Sequence, residues 1–149
     1  MSNNLLAGKK GIIFGALDER SISWAVAEKC HEQGAQFTLT NAPIALRMGT
    51  LNQLAEKCGA EIIGADATNM DDLKALVEQS MEKLGGKLDF VLHSIGMSPN
   101  VRKKKHYTDL NYDWFQKTMD ISAMSFHRVL QKYYQMDAMY DVVSVLTLI

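Results

Sequence analysis

The stretch that most constrains how this chain can fold is Gly8–Cys30, GKKGIIFGALDERSISWAVAEKC. An apolar run, Ile12 to Phe14, stops at Gly15, and a polar loop then leads to Ser21, where an amphipathic segment begins. A buried strand, a glycine turn and a helix in this order are typical of the start of a nucleotide-binding α/β fold, in which a phosphate group lies at the amino end of the helix. We expect the rest of the chain to repeat this unit and to supply walls for the site that it creates.

The same alternation of strands and helices continues to the end of the chain. Predicted strands cover residues 10–15, 35–40, 61–64, 88–93 and 142–149, and predicted helices cover residues 21–33, 44–58, 109–135 and a segment capped by Thr68 or Asn69 that ends at Leu84. This alternation needs right-handed crossovers and a parallel sheet. We predict one domain over residues 1–149 with a doubly wound, Rossmann-like α/β fold and strand order 3-2-1-4-5. The last strand, VVSVLTLI, is mostly apolar, which indicates a central strand with both faces buried.

Apolar residues at helical spacing indicate which faces of the predicted helices are buried. The first helix carries a stripe of Ile22, Val26 and Cys30. The stripe of the long helix is Phe115, Met119, Ser122, Phe126, Val129, Leu130 and Tyr133. Residues 97–108 are predicted to form a loop, and this loop contains a run of four cations, Arg102–Lys105.

Composition and charge exclude several classes of protein. The chain is 47% apolar and 22% charged with a formal net charge of −1, values typical of a soluble globular protein without a nucleic-acid partner. Two cysteines are too few for a disulfide framework or a zinc cluster, and the histidines lack metal-ligand spacing. The amino terminus lacks the apolar segment of a signal peptide, and no run approaches the ~20 apolar residues of a membrane span. We expect a cytoplasmic protein that contacts no membrane and holds no metal.

Three groups of residues follow predicted strands near the switch point of such a sheet. Gly15 follows the first strand, Asp66-Ala67 the third, and Ser94-Ile95-Gly96 the fourth. Glycine lets a pyrophosphate or a flat ring approach the backbone, and a carboxylate can accept a hydrogen bond from an adenine amino group. Each group also has a purely structural interpretation: Gly15 as a strand-to-helix turn, Asp66 as a helix-capping or turn residue, and Ser94-Ile95-Gly96 as a turn. His93 is expected to end its strand rather than to act as a base.

The end of the second predicted strand bears on the choice of cofactor. An acid at this point binds the 2′-hydroxyl of NAD, and an arginine accepts the 2′-phosphate of NADP. This chain has Thr40-Asn41-Ala42, with neither group, and Arg47 lies further along. The absence of a nearby cation favours NADH over NADPH.

Several of these segments together resemble one family. They are GKKGIIFGA, Ser21-Ile22 with five residues between Gly15 and Ser21, Gly34-Ala35, Asp66, LDFVLHSIGM and the run Asp120–Phe126. Over essentially its whole length the chain resembles the amino-terminal part of bacterial NADH-dependent enoyl-acyl-carrier-protein reductases, which belong to the short-chain dehydrogenase/reductase superfamily. The Gly-x5-Ser-Ile spacing argues against another short-chain reductase, such as a ketoacyl reductase.

The resemblance implies a set of site residues and a partner. The cofactor would be lined by Gly15, Ser21, Ile22, Ala42, Asp66, Ala67, Ser94, Ile95, Gly96 and Ile121, and Met97 and Ser98 would lie beside the acyl substrate. Ala42 falls where related enzymes often have Gln. The resemblance further implies NADH as cofactor, an enoyl-acyl-carrier-protein substrate, a homotetramer and a place in fatty acid biosynthesis. The basic run is either a solvated loop or a contact for the acidic carrier protein.

The resemblance also implies what the chain lacks. The family transfers hydride from NADH to the β-carbon of an enoyl thioester, and a Tyr-x6-Lys pair donates to the enolate oxygen and holds the cofactor ribose. None of the five tyrosines has lysine at that spacing, and by the resemblance the pair lies beyond Ile149. We therefore expect an incomplete carboxyl-terminal part, no catalytic residue and no turnover by these 149 residues alone. The alternative is a non-catalytic NAD(H)-binding module or pseudo-enzyme.

Overall fold

A five-stranded parallel sheet forms the centre of the computed structural model, which describes residues 3–147. The strands are β1 (Lys10–Phe14), β2 (Gln36–Thr40), β3 (Glu61–Ile62), β4 (Leu88–His93) and β5 (Met139–Thr147). Their order is β3-β2-β1-β4-β5, and every neighbouring pair is parallel. The predicted α/β class and strand order are confirmed.

Helices cover the sheet on both faces. They are α1 (Ile22–Glu32), α2 (Pro43–Leu46), α3 (Leu51–Cys58), α4 (Met70–Leu84), α5 (Pro99–Arg102), α6 (Tyr112–Met119) and α7 (Ser125–Gln135). A 3₁₀ turn lies at Tyr107–Asp109, and a π turn, Asp120–Met124, joins α6 to α7. None of the helices in residues 3–147 is long and apolar enough to cross a bilayer.

Alternate residues of β1 face two separate cores, as expected for a strand covered on both sides. Ile12 and Phe14 pack with apolar residues of α4 and α7, and Ile13 packs with apolar residues of α1 and α3. These three side chains of β1 are at most 1% exposed. Burial of this kind contributes roughly 1.5–3 kcal/mol per large side chain, so β1 anchors both layers.

Asn69 is the cap of α4, which settles the choice that the sequence left open. Its side-chain oxygen accepts hydrogen bonds from the amides of Asp71 (2.9 Å) and Asp72 (3.2 Å). Both acids lie in the first turn, where the helix dipole favours negative charge. At the other end Gly85 takes a left-handed conformation with φ +71° and closes the helix.

The continuous helix predicted over 44–58 is wrong. The structure has α2, a break and then α3, and Gly49 within the break has a φ of +73°, which no α-helix contains. The loop predicted over 97–108 is also more ordered than expected, because it contains α5 and the 3₁₀ turn.

The predicted burial of the first helix is wrong as well. The buried face of α1 consists of Ser23, Trp24 and Ala27, whereas Ile22 is 63% exposed. Val26 and Cys30 border an apolar groove over β4 and β5. Both side chains are partly buried against the core that contains Trp24 and Ala27, and no helix covers the groove beside them within residues 3–147.

The helix predicted over 109–135 is interrupted, and its stripe changes phase at the interruption. Phe115 is 52% exposed on α6, whereas Ser125, Val129 and Tyr133 form the buried face of α7. A π turn inserts a residue into the helical register, so positions before and after it no longer share one face. A single 3.6-residue period cannot describe both halves.

β5 lies at one end of the sheet order and differs from its prediction. The strand pairs with β4, and Leu146 is 58% exposed, so burial of both faces is wrong for the described part. Residues 148 and 149 of the predicted strand lie outside the described residues.

Candidate functional site

Three strand ends meet at one edge of the sheet. In the register of the sheet Phe14 pairs with Thr40 on one side and with His93 on the other. The residues that follow these three positions therefore lie side by side at the carboxyl edge, where ligands of doubly wound sheets bind.

Gly15 holds two of these strand ends unusually close together. A Cβ atom on Gly15 would lie 1.8 Å from the carbonyl oxygen of Ser94, and its φ of +87° is in the left-handed region. The Gly15 amide also donates to the carbonyl oxygen of Thr40, at 3.0 Å. Only glycine satisfies both the conformation and the contact.

Asn41 fastens the loop after β2 to the loop after β1. Its Nδ2 donates to the carbonyl oxygen of Ala16 (3.0 Å), and its Oδ1 accepts from the amide of Ala42 (2.8 Å). The Asn41 carbonyl oxygen accepts from the Ala65 amide, at 3.1 Å. Asn41 thus links the loops that follow β1, β2 and β3.

A cleft opens above these strand ends. It is lined by Phe14, Gly15, Asn41, Ala42, Ala65, Asp66, Ala67, Thr68, Ile95 and Ile121. Six of the ten residues predicted to contact cofactor line it together: Gly15, Ala42, Asp66, Ala67, Ile95 and Ile121. The sequence-based prediction missed Phe14, Asn41, Ala65 and Thr68. The polar Asn41 at the end of an apolar strand was the one available signal.

The Asp66 carboxylate is partly used within the protein. Its Oδ1 accepts from the amide (2.9 Å) and the hydroxyl (2.7 Å) of Thr68, so the structural interpretation of this residue as a turn former holds. Among the described residues Oδ2 accepts no hydrogen bond, and the side chain is exposed at the cleft. One oxygen can therefore still accept a hydrogen bond from a ligand.

Ser21 and Ile22 occupy the start of α1 and do not line the cleft. The Ser21 hydroxyl donates to the Asp18 carbonyl oxygen (2.6 Å) and accepts from the Leu17 amide (3.2 Å), which shapes the loop before the helix. The Ile22 side chain lies in a shallow apolar surface groove beside Val26. Only the backbone of this turn is placed to meet a phosphate group.

Ser94 and Gly96 continue from β4 outside the set that lines the cleft. Ser94 contributes the carbonyl oxygen against Gly15. A Cβ atom on Gly96 would meet no protein atom within 4 Å, so the space beside this backbone is open. The two predicted substrate residues, Met97 and Ser98, come next, and Ser98 caps α5.

The π turn holds the Met97 backbone through a serine that the sequence-based prediction did not assign to the site. The Ser122 hydroxyl accepts from the Met97 amide (3.0 Å) and donates to the Met97 carbonyl oxygen (3.2 Å). Arg128 in turn donates to the Asp120 carbonyl oxygen and pairs with its carboxylate. The position of Met97 therefore depends on the π turn, and π turns are frequent at functional sites.

His93 lies beneath the site in a closed hydrogen-bond network. The Ser125 hydroxyl donates to the Ile121 carbonyl oxygen (2.6 Å), so it must accept from His93 Nε2 (2.8 Å). His93 Nδ1 is then the acceptor from the Thr147 hydroxyl (3.1 Å). Burial lowers the pKa of His93 below its ordinary value. The residue ends β4, as predicted, and the neutral ring ties β4 to α7 and β5.

A match to a known family decides what kind of protein this cleft belongs to. The family model described as "Enoyl-(Acyl carrier protein) reductase" matches residues 15–148 of the chain. The chain belongs to the enoyl-(acyl carrier protein) reductase family. Its residues 15–148 include every predicted cofactor and substrate residue named above.

Individual relatives agree with this assignment. Enoyl-[acyl-carrier-protein] reductase [NADH] 1 of Rhizobium meliloti (strain 1021) is 37% identical over 129 residues, which are 86% of this chain and 47% of the relative. The FabI enzyme of Aquifex aeolicus (strain VF5), also named for NADH, is 33% identical over 81% of this chain and 44% of its own length. The chain thus spans about half the length of the curated relatives it matches.

Solved structures of the family superpose closely on the fold. FabI from Alistipes finegoldii in complex with NADH has a TM-score of 0.94 and 55% identity, over 97% of this chain and 51% of the solved chain. The reductase from Anaplasma phagocytophilum in complex with NAD has a TM-score of 0.83 and 29% identity, over 95% and 54%. Each of these two relatives was solved in complex with a nicotinamide cofactor.

None of the described tyrosines matches the Tyr-x6-Lys pair that the resemblance implies. Tyr133 is fully buried in the core under α4, and burial raises its pKa well above the ordinary value. Tyr107, Tyr112 and Tyr134 are exposed, and none of the five tyrosines precedes a lysine at the family spacing.

Proposed function

We propose that this chain forms the NADH-binding domain, residues 1–149, of an enoyl-acyl-carrier-protein reductase of fatty acid biosynthesis. The observation that carries the proposal is the cleft at the switch point, which Gly15 lines and where Asp66 offers a carboxylate oxygen, with open space beside the neighbouring Gly96 backbone. Membership of the reductase family and the NADH-bound relative support the same reading.

The residues at the cleft fit a dinucleotide on physical grounds. The first turn of α1 contains no acid and no side-chain cap, and the Trp24 amide donates to the Ser21 carbonyl oxygen. The amides of Ile22 and Ser23 and the helix dipole remain to meet a pyrophosphate. The exposed Asp66 oxygen suits an adenine amino group, and the open space beside Gly96 suits a flat nicotinamide ring. When bound, the cofactor supplies the hydride, and this chain's residues hold and orient it.

The finer features of the proposal concern cofactor type, substrate and assembly. Neither an acid nor a cation follows β2 within Thr40–Ala42, which favours NADH over NADPH. Met97 and Ser98 would contact the enoyl thioester on its carrier protein, with Ser122 fixing the Met97 backbone. We place the protein in the cytoplasm as a homotetramer, as expected for this family.

NADH titration tests the binding proposal. We expect NADH fluorescence to change saturably on addition of the chain, and Gly96→Val to weaken binding at least about tenfold, or about 1.4 kcal/mol, because its side chain fills the open space. Ala25→Val also introduces a valine side chain, at an exposed position of α1 away from the cleft, and should leave the affinity unchanged. A wild-type chain that does not bind NADH would contradict the proposed function.

The 149 residues alone are expected to give no reduction of crotonyl thioester. The enolate oxygen would have no donor at the point where charge develops, and such donors are worth about 10²–10³ in rate. The measurement is NADH absorbance at saturating crotonyl thioester, in a sample whose NADH binding has been verified by titration. Oxidation of NADH above the enzyme-free rate would show that another group replaces the family's tyrosine.

The second candidate is a non-catalytic NAD(H)-binding module. The absence of Tyr-x6-Lys from the sequence is the observation that favours it. NADH binding by the chain without turnover agrees with both candidates. Addition of a polypeptide that carries the family's carboxyl-terminal half separates them, because restored turnover identifies the chain as part of a reductase.

A further inference from the structure

Arg102–Lys105 is a concentration of unpaired positive charge. Eight lysine or arginine side chains in residues 3–147 form salt bridges with carboxylates, and none of those bridges involves this run. With Asp109 included, residues 98–110 carry a net charge of +3, whereas the whole chain has −1. The positive charge is local and stands out from an otherwise balanced chain.

The run is held in a defined shape. Asn100 is buried, its Nδ2 donates to the Asn111 carbonyl oxygen (3.0 Å), and its Oδ1 accepts from the Asn111 amide (3.0 Å). The Lys105 amide donates to the Asn100 carbonyl oxygen, also at 3.0 Å. The same asparagine thus fixes both ends of the segment, so the cations project from an ordered base.

Apolar side chains flank the charges. Val101 is 74% exposed and Tyr107 is 86% exposed, one on each side of the run. Surfaces that bind protein partners are enriched in tyrosine and arginine relative to other surfaces. We call residues Val101–Tyr107 the basic platform.

The basic platform begins directly beside the proposed substrate residues. Ser98 caps α5, and its hydroxyl accepts from the Val101 amide (3.4 Å). Because α5 has four residues, it is only about 6 Å long. A partner bound on the platform would therefore sit next to Met97 and Ser98.

We propose that the basic platform is the docking surface for an acidic carrier protein that presents the acyl thioester to this site. The proposal rests on the proposed function, because the platform acquires this role only if Met97 and Ser98 contact the thioester. Exposed cations attract an acidic surface, raise the association rate and lose much of that effect when salt shortens the Debye length.

Carrier binding by charge variants tests the proposal. The probe is fluorescently labelled crotonyl-acyl carrier protein, whose anisotropy is followed as the 149-residue chain is added. We expect Lys103→Glu/Lys105→Glu to weaken binding at least about tenfold and Lys103→Gln/Lys105→Gln to weaken it less. We also expect the wild-type affinity to fall as salt rises from about 50 to 300 mM.

Lys74→Glu/Lys83→Glu is the matched control. It changes the net charge equally on α4, and the exposed salt bridges that it removes contribute little to stability. Equal loss of carrier binding in this control would overturn the proposal, as would unchanged binding by the Lys103/Lys105 reversal or no carrier binding by wild type. A DNA duplex that binds as tightly, with the same sensitivity to the platform variants, would also overturn it in favour of a nucleic-acid surface.

NADH titration of the same variants separates this proposal from the proposed function. The platform variants should bind NADH as wild type does, which also shows that they are folded. A chain that binds the carrier through the platform but does not bind NADH would overturn the proposed function and leave the docking surface in place.

Discussion

Gly15→Ala is expected to destabilise the chain by at least about 3 kcal/mol, a large part of the 5–15 kcal/mol that stabilises a typical domain. A left-handed φ of +87° strains any residue with a Cβ, and this Cβ would lie 1.8 Å from the Ser94 carbonyl oxygen. Relief requires the ends of β1 and β4 to separate, which also opens the cleft. Urea unfolding followed by circular dichroism measures the change in stability.

Substitutions at two other glycines separate the cost of the backbone strain from the cost of the contact with Ser94. Gly59→Ala introduces the same conformational strain, with φ +60° and no atom within 4 Å of the new Cβ, and should cost about 1 kcal/mol. Gly96→Ala introduces neither strain nor contact and should leave stability within about 0.5 kcal/mol of wild type. If Gly15→Ala behaved like Gly59→Ala, the close approach of the two strands would not be a constraint.

Acidification from pH 7.5 to 5.5 is expected to lower the free energy of unfolding by up to about 1.4 kcal/mol through His93. Burial lowers the pKa of His93 in the folded state, so the unfolded chain binds a proton first as the pH falls. Stability is therefore complete above the unfolded pKa and decreases below it. The slope cannot exceed about 1.4 kcal/mol per pH unit for one group.

His93→Gln provides the control for this pH dependence. Glutamine can hydrogen-bond to Ser125 but does not titrate, so the variant should be less stable at pH 7.5 and should lose most of the slope between pH 7.5 and 5.5. Carboxyl groups whose pKa values are lowered, such as Asp18 beside Arg20 and Glu28 beside Lys57, lose their contributions only at more acidic pH, near their unfolded pKa values. An unchanged slope in His93→Gln would assign the effect to other groups.

Local patterns were sufficient to predict the sheet and its order. Continuous apolar runs that end at glycine or a polar residue identified β1 and β4: Ile12–Phe14 ends before Gly15, and Phe90–Leu92 ends before His93. Strand order followed from the alternation with helices and from the rule of right-handed crossovers. The edge of the sheet where the candidate cleft lies was therefore predictable from the sequence.

Features that depend on contacts distant in the sequence were not predictable in this way. The π turn depends on Ser122 and Arg128 reaching backbone atoms of Met97 and Asp120, and a periodic pattern contains no record of such bonds. The stripe of α1 that begins at Ile22 was predicted to be buried because its residues are apolar. In the structure Ile22 is exposed, and Val26 borders a groove that no helix of the described residues covers. Asn41 was missed because its side chain donates to the Ala16 carbonyl oxygen in the loop after β1, a contact between residues distant in the sequence.

The contact between Gly15 and Ser94 makes the amino acid at position 15 of the cleft hard to substitute, whereas side chains at the edge of the cleft can change more freely. Substitution of Gly15 is expected to destabilise the sheet. Cofactor preference can change at less cost in stability at positions such as Ala42, whose backbone amide donates to the Asn41 side chain. Ala42 immediately precedes α2 and can change its side chain without disturbing that bond. Evolutionary changes at positions such as Ala42 can thus change which dinucleotide is accepted while the stability of the domain stays nearly constant.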